Sequence, residues 1–152
     1  MKTETLEHLF LWASRVHQHL GEQLATEARA SAEGPCRGLM EYAAEHEDSM
    51  ATQIAGLIPS LASEARETWL YDWLPHSPTA PSNLVDARYR EMHLEQLSRS
   101  IFSVHNEIME MLRQLAVRAD VPEVEEAIRQ LLDLEDGHSR QIAQQINRIS
   151  DM

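Results

Sequence analysis

The feature that most constrains this chain is a set of matching residues 88 positions apart. His17 and His105 each follow a valine, and Glu47 and Glu135 each precede an aspartate. Under the same shift, one nine-residue window keeps four identities and a second keeps five (residues 16–24 and 47–55). Because one gapless offset serves both windows, we interpret the chain as two copies of one helical hairpin. Chance similarity between two amphipathic helices is the alternative interpretation.

Composition limits the classes of protein to consider. A length of 152 residues suits one domain with a sizeable core, and 43% hydrophobic residues with few glycines and prolines favour long helices. The net charge of −12 argues against nucleic-acid binding, which requires a positive surface. Cys36 is the only cysteine, so a disulfide framework and a thiolate metal site are both excluded.

The sequence shows no sign of a membrane segment. No apolar run approaches the roughly 18 residues of a membrane span. The first residues also lack the basic start and apolar centre of a signal peptide. We therefore expect a cytoplasmic protein that does not bind membranes, and a homodimer would suit a bundle of this size.

Apolar residues recur at helical spacing in four stretches. Gly34 and Pro35 separate the first two, and Asp120 with Glu123 predicts a capping box at the start of the fourth, with Pro122 in its first turn. The expected single domain, residues 1–152, divides into a hairpin, a crossover and a second hairpin (about 3–62, 63–82 and about 83–149).

The crossover is longer than most connections within a domain. If the third helix is to lie parallel to the second, the chain must run the length of the bundle here, and Ser82 would then cap the third helix. Apolar crossover residues should pack on the bundle, or else form an exposed patch at an oligomer interface (Trp69, Leu70, Trp73 and Leu74). Two short connections flanking a long one predict an all-α, four-helix bundle with one crossover.

Five ionisable residues interrupt the apolar seams of these helices, about midway along each one. They are His17 on the first helix, Glu47 on the second, His105 on the third, and Glu135 and His138 on the fourth. Burying such groups unpaired is costly, so they need a joint solution. One solution is a hydrogen-bond and salt-bridge network, and the other is a metal ion bound by imidazole and carboxylate.

Glu135 and His138 form a Glu-x-x-His motif whose side chains lie on one face of a helix. With Glu47 on the second helix, the pattern resembles the ferritin-like carboxylate-bridged proteins, which include ferritins, bacterioferritins and rubrerythrins. That family takes a Glu from each of two helices and Glu-x-x-His from each of the other two. The chain departs from this pattern at Met50, which stands where the family has the second-helix histidine. His17 and His105 lie near the family's single carboxylates.

The resemblance implies a non-haem metal centre in the bundle core. The predicted ligands are His17, Glu47, His105, Glu135 and His138, with Met50 as a further weak ligand or simply a packing residue. Iron is the expected ion, with manganese and zinc as alternatives. The implied function is oxidoreductase chemistry or metal handling. The competing hypothesis is a non-catalytic helical interaction module that keeps a vestigial polar core.

The remaining histidines and two repeated glutamates are predicted to lie outside the site. His8, His19, His46 and His93 fall off the core phase and should be solvated, and His76 belongs to the crossover. Glu22 and Glu110 also match across the 88-residue offset, but they lie at the flank of the seam. A surface ion pair or a supporting role is the expectation for these two.

Overall fold

The structure, a computed structural model, describes residues 5–68, 70 and 88–151. In these residues the chain is all-helical, without a β-strand. Five α-helices are present in the described part: α1 (Leu6–Arg29), α2 (Pro35–Leu57), α3 (Ser63–Arg66), α4 (Leu94–Arg118) and α5 (Pro122–Ser150). Two 3₁₀ turns, Ile58–Ser60 and Tyr89–Glu91, lie after α2 and before α4. None of the described helices combines the length and apolar character needed to cross a bilayer.

The helix starts follow local chemistry, though not always the residues that the sequence suggested. The Thr5 side chain accepts a hydrogen bond from the His8 amide and caps α1. Gly34, whose φ of 154° disfavours any side chain, leads into α2. The predicted capping box of Asp120 and Glu123 is wrong, because α5 begins at Pro122 after Val121, which offers no capping group.

Two of the predicted helix boundaries also need correction. The second helix ends at Leu57 rather than near residue 62, since Pro59 cannot donate the next helical hydrogen bond and the chain tightens into a 3₁₀ turn. α4 starts at Leu94 rather than near residue 83. Its cap is His93, which exchanges hydrogen bonds with Gln96 in a capping box. Ser82, the predicted cap, lies outside the described residues.

The crossover prediction is only partly within the described chain. Leu70 is fully buried, as expected for a segment that packs on the helices. α3, at the start of this segment, contacts α1 and α5. The predicted partners Trp69, Trp73 and Leu74 lie outside the described residues, as does His76.

The long helices pack so that their predicted apolar seams face a common core. α1 lies along α2, α4 lies along α5, and α2 also contacts both α4 and α5. The residues predicted to face inward on the four seams are buried, except Leu57 and Ile146 at the helix ends, which are half-buried, and this confirms the helical phases. They include Phe10, Leu20 and Leu24 on α1; Leu39, Ala43 and Ile54 on α2; Leu97, Ile101 and Ile108 on α4; and Ile128, Leu131 and Ile142 on α5.

Positions along the helices explain why the buried polar residues lie at similar depth. His17 is twelve residues before the end of α1 at Arg29, and Glu47 is twelve residues after the start of α2 at Pro35. His105 is likewise thirteen residues before the end of α4, and Glu135 is thirteen after the start of α5. Within each helix pair, equal distances from the short connection place the two side chains at the same level.

A partly buried ion pair ties the far end of α1 to the turn that precedes α4. Glu27 is 3% exposed and accepts hydrogen bonds from the Arg90 amide at 3.1 Å and from its guanidinium at 2.8 and 2.5 Å. The Arg90 hydrogen bond lowers the pKa of Glu27, against the opposing effect of burial. The ionised form of Glu27 therefore stabilises the folded state.

Replacing Glu27 with Gln is expected to lower stability at neutral pH, because the charged acceptor of Arg90 is lost. A carboxyl whose folded pKa is lowered stabilises the fold above its ordinary pKa of 4.5. That contribution is lost as the pH falls through the folded pKa. Urea unfolding at pH 7 and pH 3 should therefore show a deficit that shrinks in acid. A deficit of equal size at both pH values would contradict the assignment. Glu41→Gln, in an exposed pair with Arg37, should change stability little at either pH.

Candidate metal centre

Four buried side chains from four different helices meet in the core. His17 comes from α1, Glu47 from α2, His105 from α4 and His138 from α5. The first three are fully buried and His138 is 5% exposed. One donor atom from each, a ring nitrogen or a carboxylate oxygen, lies within 4.8 Å of each of the others. The sequence predicted these four residues to converge, and the structure brings them together.

Glu47 lies at the centre of this group, because its carboxylate faces all three imidazoles. Oε1 is 2.5 Å from His105 Nε2 and 3.2 Å from His138 Nε2, and Oε2 contacts His17 Nδ1. The contact with His138 is close, but it lacks the geometry of a hydrogen bond. Three ring nitrogens therefore point at the two oxygens of a single carboxylate.

Glu135, the fifth predicted ligand, is placed differently. Its Oε1 is 2.6 Å from His17 Nε2, so it contacts the group through His17 and is not one of the four donors that lie close together. Both side chains are fully buried. Glu135 Oε2 has no hydrogen-bond partner among the described residues. His17 thus lies between two carboxylates, with Glu47 at one ring nitrogen and Glu135 at the other.

His46 belongs to the surroundings of the site, although the sequence predicted it to be solvated. Its side chain is half-buried, and its Nδ1 is 2.9 Å from His138 Nδ1. The ring of Tyr42, one turn earlier on α2, lies 5.1 Å from the His46 ring. The prediction of full solvation is therefore wrong. His46 is off the seam of α2, and its contact depends on where α5 packs, which helical phase alone does not give.

The electrostatics follow from burial and from the two carboxylates. Burial lowers the pKa of His17, but Glu135 and Glu47 outweigh this and raise it to about 10. Burial raises the pKa of Glu47, but His105 and His17 lower it by more, so the pKa lies well below its usual range. Burial, followed by the nearby His138, lowers the pKa of His46. The His17 ring, whose pKa of about 10 favours its protonated form, therefore lies between the carboxyl groups of Glu47 and Glu135.

This internal pairing leaves polar atoms of the site without partners. His105 Nδ1, His138 Nε2 and Glu135 Oε2 are all buried and form no hydrogen bond with a described residue. A buried polar atom without a partner costs roughly 1–3 kcal/mol. His138 Nε2 faces the Glu47 carboxylate, so an ion between them would give it a partner. The donors therefore fit a cation better than they fit each other.

The donor set suits a single transition-metal ion. Imidazole and carboxylate are ligands of zinc, iron and manganese, at about 2.0–2.2 Å. Two donors on opposite sides of one ion would then be about 4 Å apart. The four donor atoms lie within 4.8 Å of one another, and the contacts of Glu47 with His105 and His17 would have to lengthen for an ion to enter between them. Met50 is buried on α2, and its role as a ligand stays a prediction.

Gly21 allows α1 and α2 to approach closely beside Glu47. A Cβ at this position would lie 3.2 Å from the Ala44 carbonyl oxygen and 3.3 Å from Glu47 Cβ, both on α2. The absence of a side chain therefore determines how near Glu47 comes to α1. Gly137, which is next to His138 on α5, would place a Cβ in open space.

Gly21→Ala is therefore expected to push α2 away at Glu47, whereas Gly137→Ala should be tolerated. Overpacking of this kind costs on the order of 1–3 kcal/mol. Alanine at the open helical position should instead stabilise the helix by up to about 1 kcal/mol. Thermal unfolding of the two variants, each compared with the wild type, measures the difference. Equal stabilisation by both substitutions would show that the helices adjust freely at Gly21.

The remaining predicted surface residues lie where the sequence placed them. His8, His19 and His93 are exposed. Glu22 is exposed and accepts a hydrogen bond from Gln18, and Glu110 is exposed and pairs with neighbours on its own helix. The match of these two glutamates across the 88-residue offset therefore adds nothing to the buried group.

Comparisons with known proteins give no family for this chain. No protein-family model matches the sequence, and no curated protein or solved structure matches it significantly. The buried residues and their geometry are therefore the basis for assigning a function.

Proposed function

We propose that this protein is a ferritin-like metal-binding protein with a non-haem metal centre in its core. The ligands would be His17, Glu47, His105 and His138, one from each long helix. The observation that carries this proposal is the convergence of their four buried donor atoms within 4.8 Å. Burying three imidazoles and a carboxylate together is costly, and a cation at their centre offsets that cost.

We propose that the four long helices form a bundle made from two repeated hairpins with one crossover. The 88-residue offset relates His17 to His105 and Glu47 to Glu135. The pairing of α1 with α2 and of α4 with α5 supports this arrangement. The two halves then contribute unequally to the centre, because Glu47 faces three histidines whereas Glu135 faces His17 alone.

Iron is the ion that we propose for this centre. Histidine with carboxylate is the donor combination of non-haem iron sites, and the ferritin-like resemblance points to the same metal. Manganese and zinc are the competing ions. When bound, iron would supply oxygen- or peroxide-linked oxidation, provided that a coordination position stays open, or the protein would serve in metal handling. Glu135 would hold His17 in position through the 2.6 Å hydrogen bond, in the manner of a carboxylate that orients a ligand histidine.

The competing function is a helical interaction module whose polar core needs no metal. The observation that favours it is the position of His17 between Glu47 and Glu135, because its raised pKa of about 10 favours a positive charge that would neutralise part of the group. This alternative leaves His138 Nε2 and Glu135 Oε2 without a function, since neither has a hydrogen-bond partner among the described residues.

Metal analysis of protein purified without chelators separates the two functions. The metal-centre proposal predicts about one ion per chain, with iron in excess of manganese and zinc, and loss of that ion in His105→Ala. His19→Ala, which removes an exposed histidine from α1, is the matched control and should retain the metal. Metal-free wild-type protein that also fails to bind added iron, manganese or zinc would support the interaction module.

A further inference from the structure

The environment of His138 differs from that of the other two histidines in the group. His17 has Glu135 at its outer nitrogen, and His105 Nδ1 has no partner among the described residues. His138 Nδ1 instead lies 2.9 Å from another imidazole nitrogen, Nδ1 of His46. This contact joins the centre to a residue that is only half-buried, whereas the four core donors are almost fully buried.

We propose that His46 is a positioning residue that fixes the tautomer and orientation of His138 for metal binding. The inference rests on the proposed metal centre. In it, the Nδ1–H of His138 donates a hydrogen bond to Nδ1 of His46, and His138 Nε2 is left with a free lone pair. Histidines that bind metals commonly donate their second N–H to a fixed acceptor in this way.

The direction of the hydrogen bond follows from what each nitrogen of His138 faces. One of the two Nδ1 atoms must donate and the other accept, because a neutral imidazole carries one N–H. If His46 donated, His138 would carry its proton on Nε2, which lies 3.2 Å from Glu47 Oε1. A protonated Nε2 has no lone pair with which to bind a metal, so metal binding at Nε2 requires the proton to lie on Nδ1, which then donates to His46.

His46 is held where this role requires it. The ring of Tyr42 lies 5.1 Å from the His46 ring, and the rings of His46 and His138 are 4.8 Å apart. His46 is adjacent to Glu47 on α2, so a ligand from α5 is held by the same helical turn that supplies the carboxylate. Two contacts with α2, one through Glu47 and one through His46, would thus determine the position of His138.

Cobalt(II) binding to purified protein tests this role, since cobalt(II) occupies such sites and its visible spectrum reports the ligand geometry. The variants are His46→Leu, which removes the acceptor, and His46→Gln, whose side-chain oxygen can accept from His138. His19→Leu, on the exposed face of α1, is the matched control. We expect His46→Leu to bind cobalt(II) about 10–100-fold more weakly and with an altered visible band. His46→Gln should recover much of the affinity and the band.

The outcomes separate this inference from the proposed function. Wild-type affinity and an unchanged spectrum in His46→Leu would overturn the positioning role while leaving the metal centre intact. Equal losses in His46→Leu and His46→Gln would also overturn it, because they would indicate packing rather than an accepted hydrogen bond. Failure of the wild type to bind cobalt(II) would instead count against the metal centre itself. Circular dichroism of the metal-free variants confirms that each comparison is made on folded protein.

Discussion

Glu47→Ala is expected to abolish metal binding and to destabilise the metal-free protein by about 3–5 kcal/mol, the range for breaking a buried ion pair from one side. Glu47 lies against His17, His105 and His138 and is fully buried. Without it, the three imidazoles face one another in a buried space. Burial raises the pKa of Glu47, but His105 and His17 outweigh this effect and lower it. The charged form of Glu47 is therefore the favoured one in the fold.

Glu47→Gln provides the folded counterpart to this experiment. The amide keeps the shape, and its carbonyl oxygen can still accept hydrogen bonds, but it lacks the charge that holds a cation. Metal binding should therefore be lost in both variants, while the loss of stability should be smaller for Gln than for Ala. Chemical denaturation of metal-free protein and isothermal titration with iron(II) under anaerobic conditions provide the two measurements. Retention of metal binding by Glu47→Gln would contradict the central place of this carboxylate.

Added metal is expected to raise the unfolding temperature of metal-free protein by about 5–11 °C when the free ion is at a hundredfold excess over its dissociation constant. Binding to the native state alone contributes about 2.7 kcal/mol at that excess. A chain of this length shifts by about 2–4 °C per kcal/mol. The physical reason is that the ion satisfies His138 Nε2 and replaces a costly arrangement of buried charge.

The control for this effect is a variant that keeps the acidic surface but lacks one ligand. The net charge of −12 could attract cations weakly, and His105→Ala leaves that charge unchanged. The metal-induced shift should disappear in His105→Ala and persist in His19→Ala, and a chelator should reverse it. Equal shifts in all three proteins would indicate surface binding and would remove the support for a core site.

Helical phase was predictable from the sequence because burial on a helix follows a fixed period. The seam that runs through Phe10, His17 and Leu24 is buried as expected, and so is the seam through Leu97, His105 and Leu112. The similar depth of the polar residues could also be predicted from their equal distances to the short connections. These features depend on spacing along one chain segment, which the sequence gives directly.

Helix ends were less predictable because competing local signals decide them. Asp120 and Glu123 offered a capping box, yet α5 begins at Pro122 after the aliphatic Val121. At the start of α4 the cap is His93 with Gln96, and imidazole is not among the common capping groups. Which residue caps a helix depends on how the preceding chain enters the helix, and that is determined by packing against neighbouring segments.

The division of roles within the site could not be read from periodicity. Glu47 and Glu135 match across the 88-residue offset, yet the former contacts three histidines and the latter contacts one. His46, off the seam of α2, reaches His138 because α5 packs beside α2. Both outcomes depend on the relative placement of helices, and one-dimensional spacing does not contain it.

Anomalous X-ray diffraction from crystals of the metal-loaded protein tests the core metal centre most directly. A single peak is expected in the core, about 2.0–2.2 Å from one donor atom each of His17, Glu47, His105 and His138. The outer nitrogens of His17 and His138 should still face Glu135 and His46. The absence of an anomalous peak among these residues, or a peak held only by surface carboxylates, would contradict a metal centre in the core.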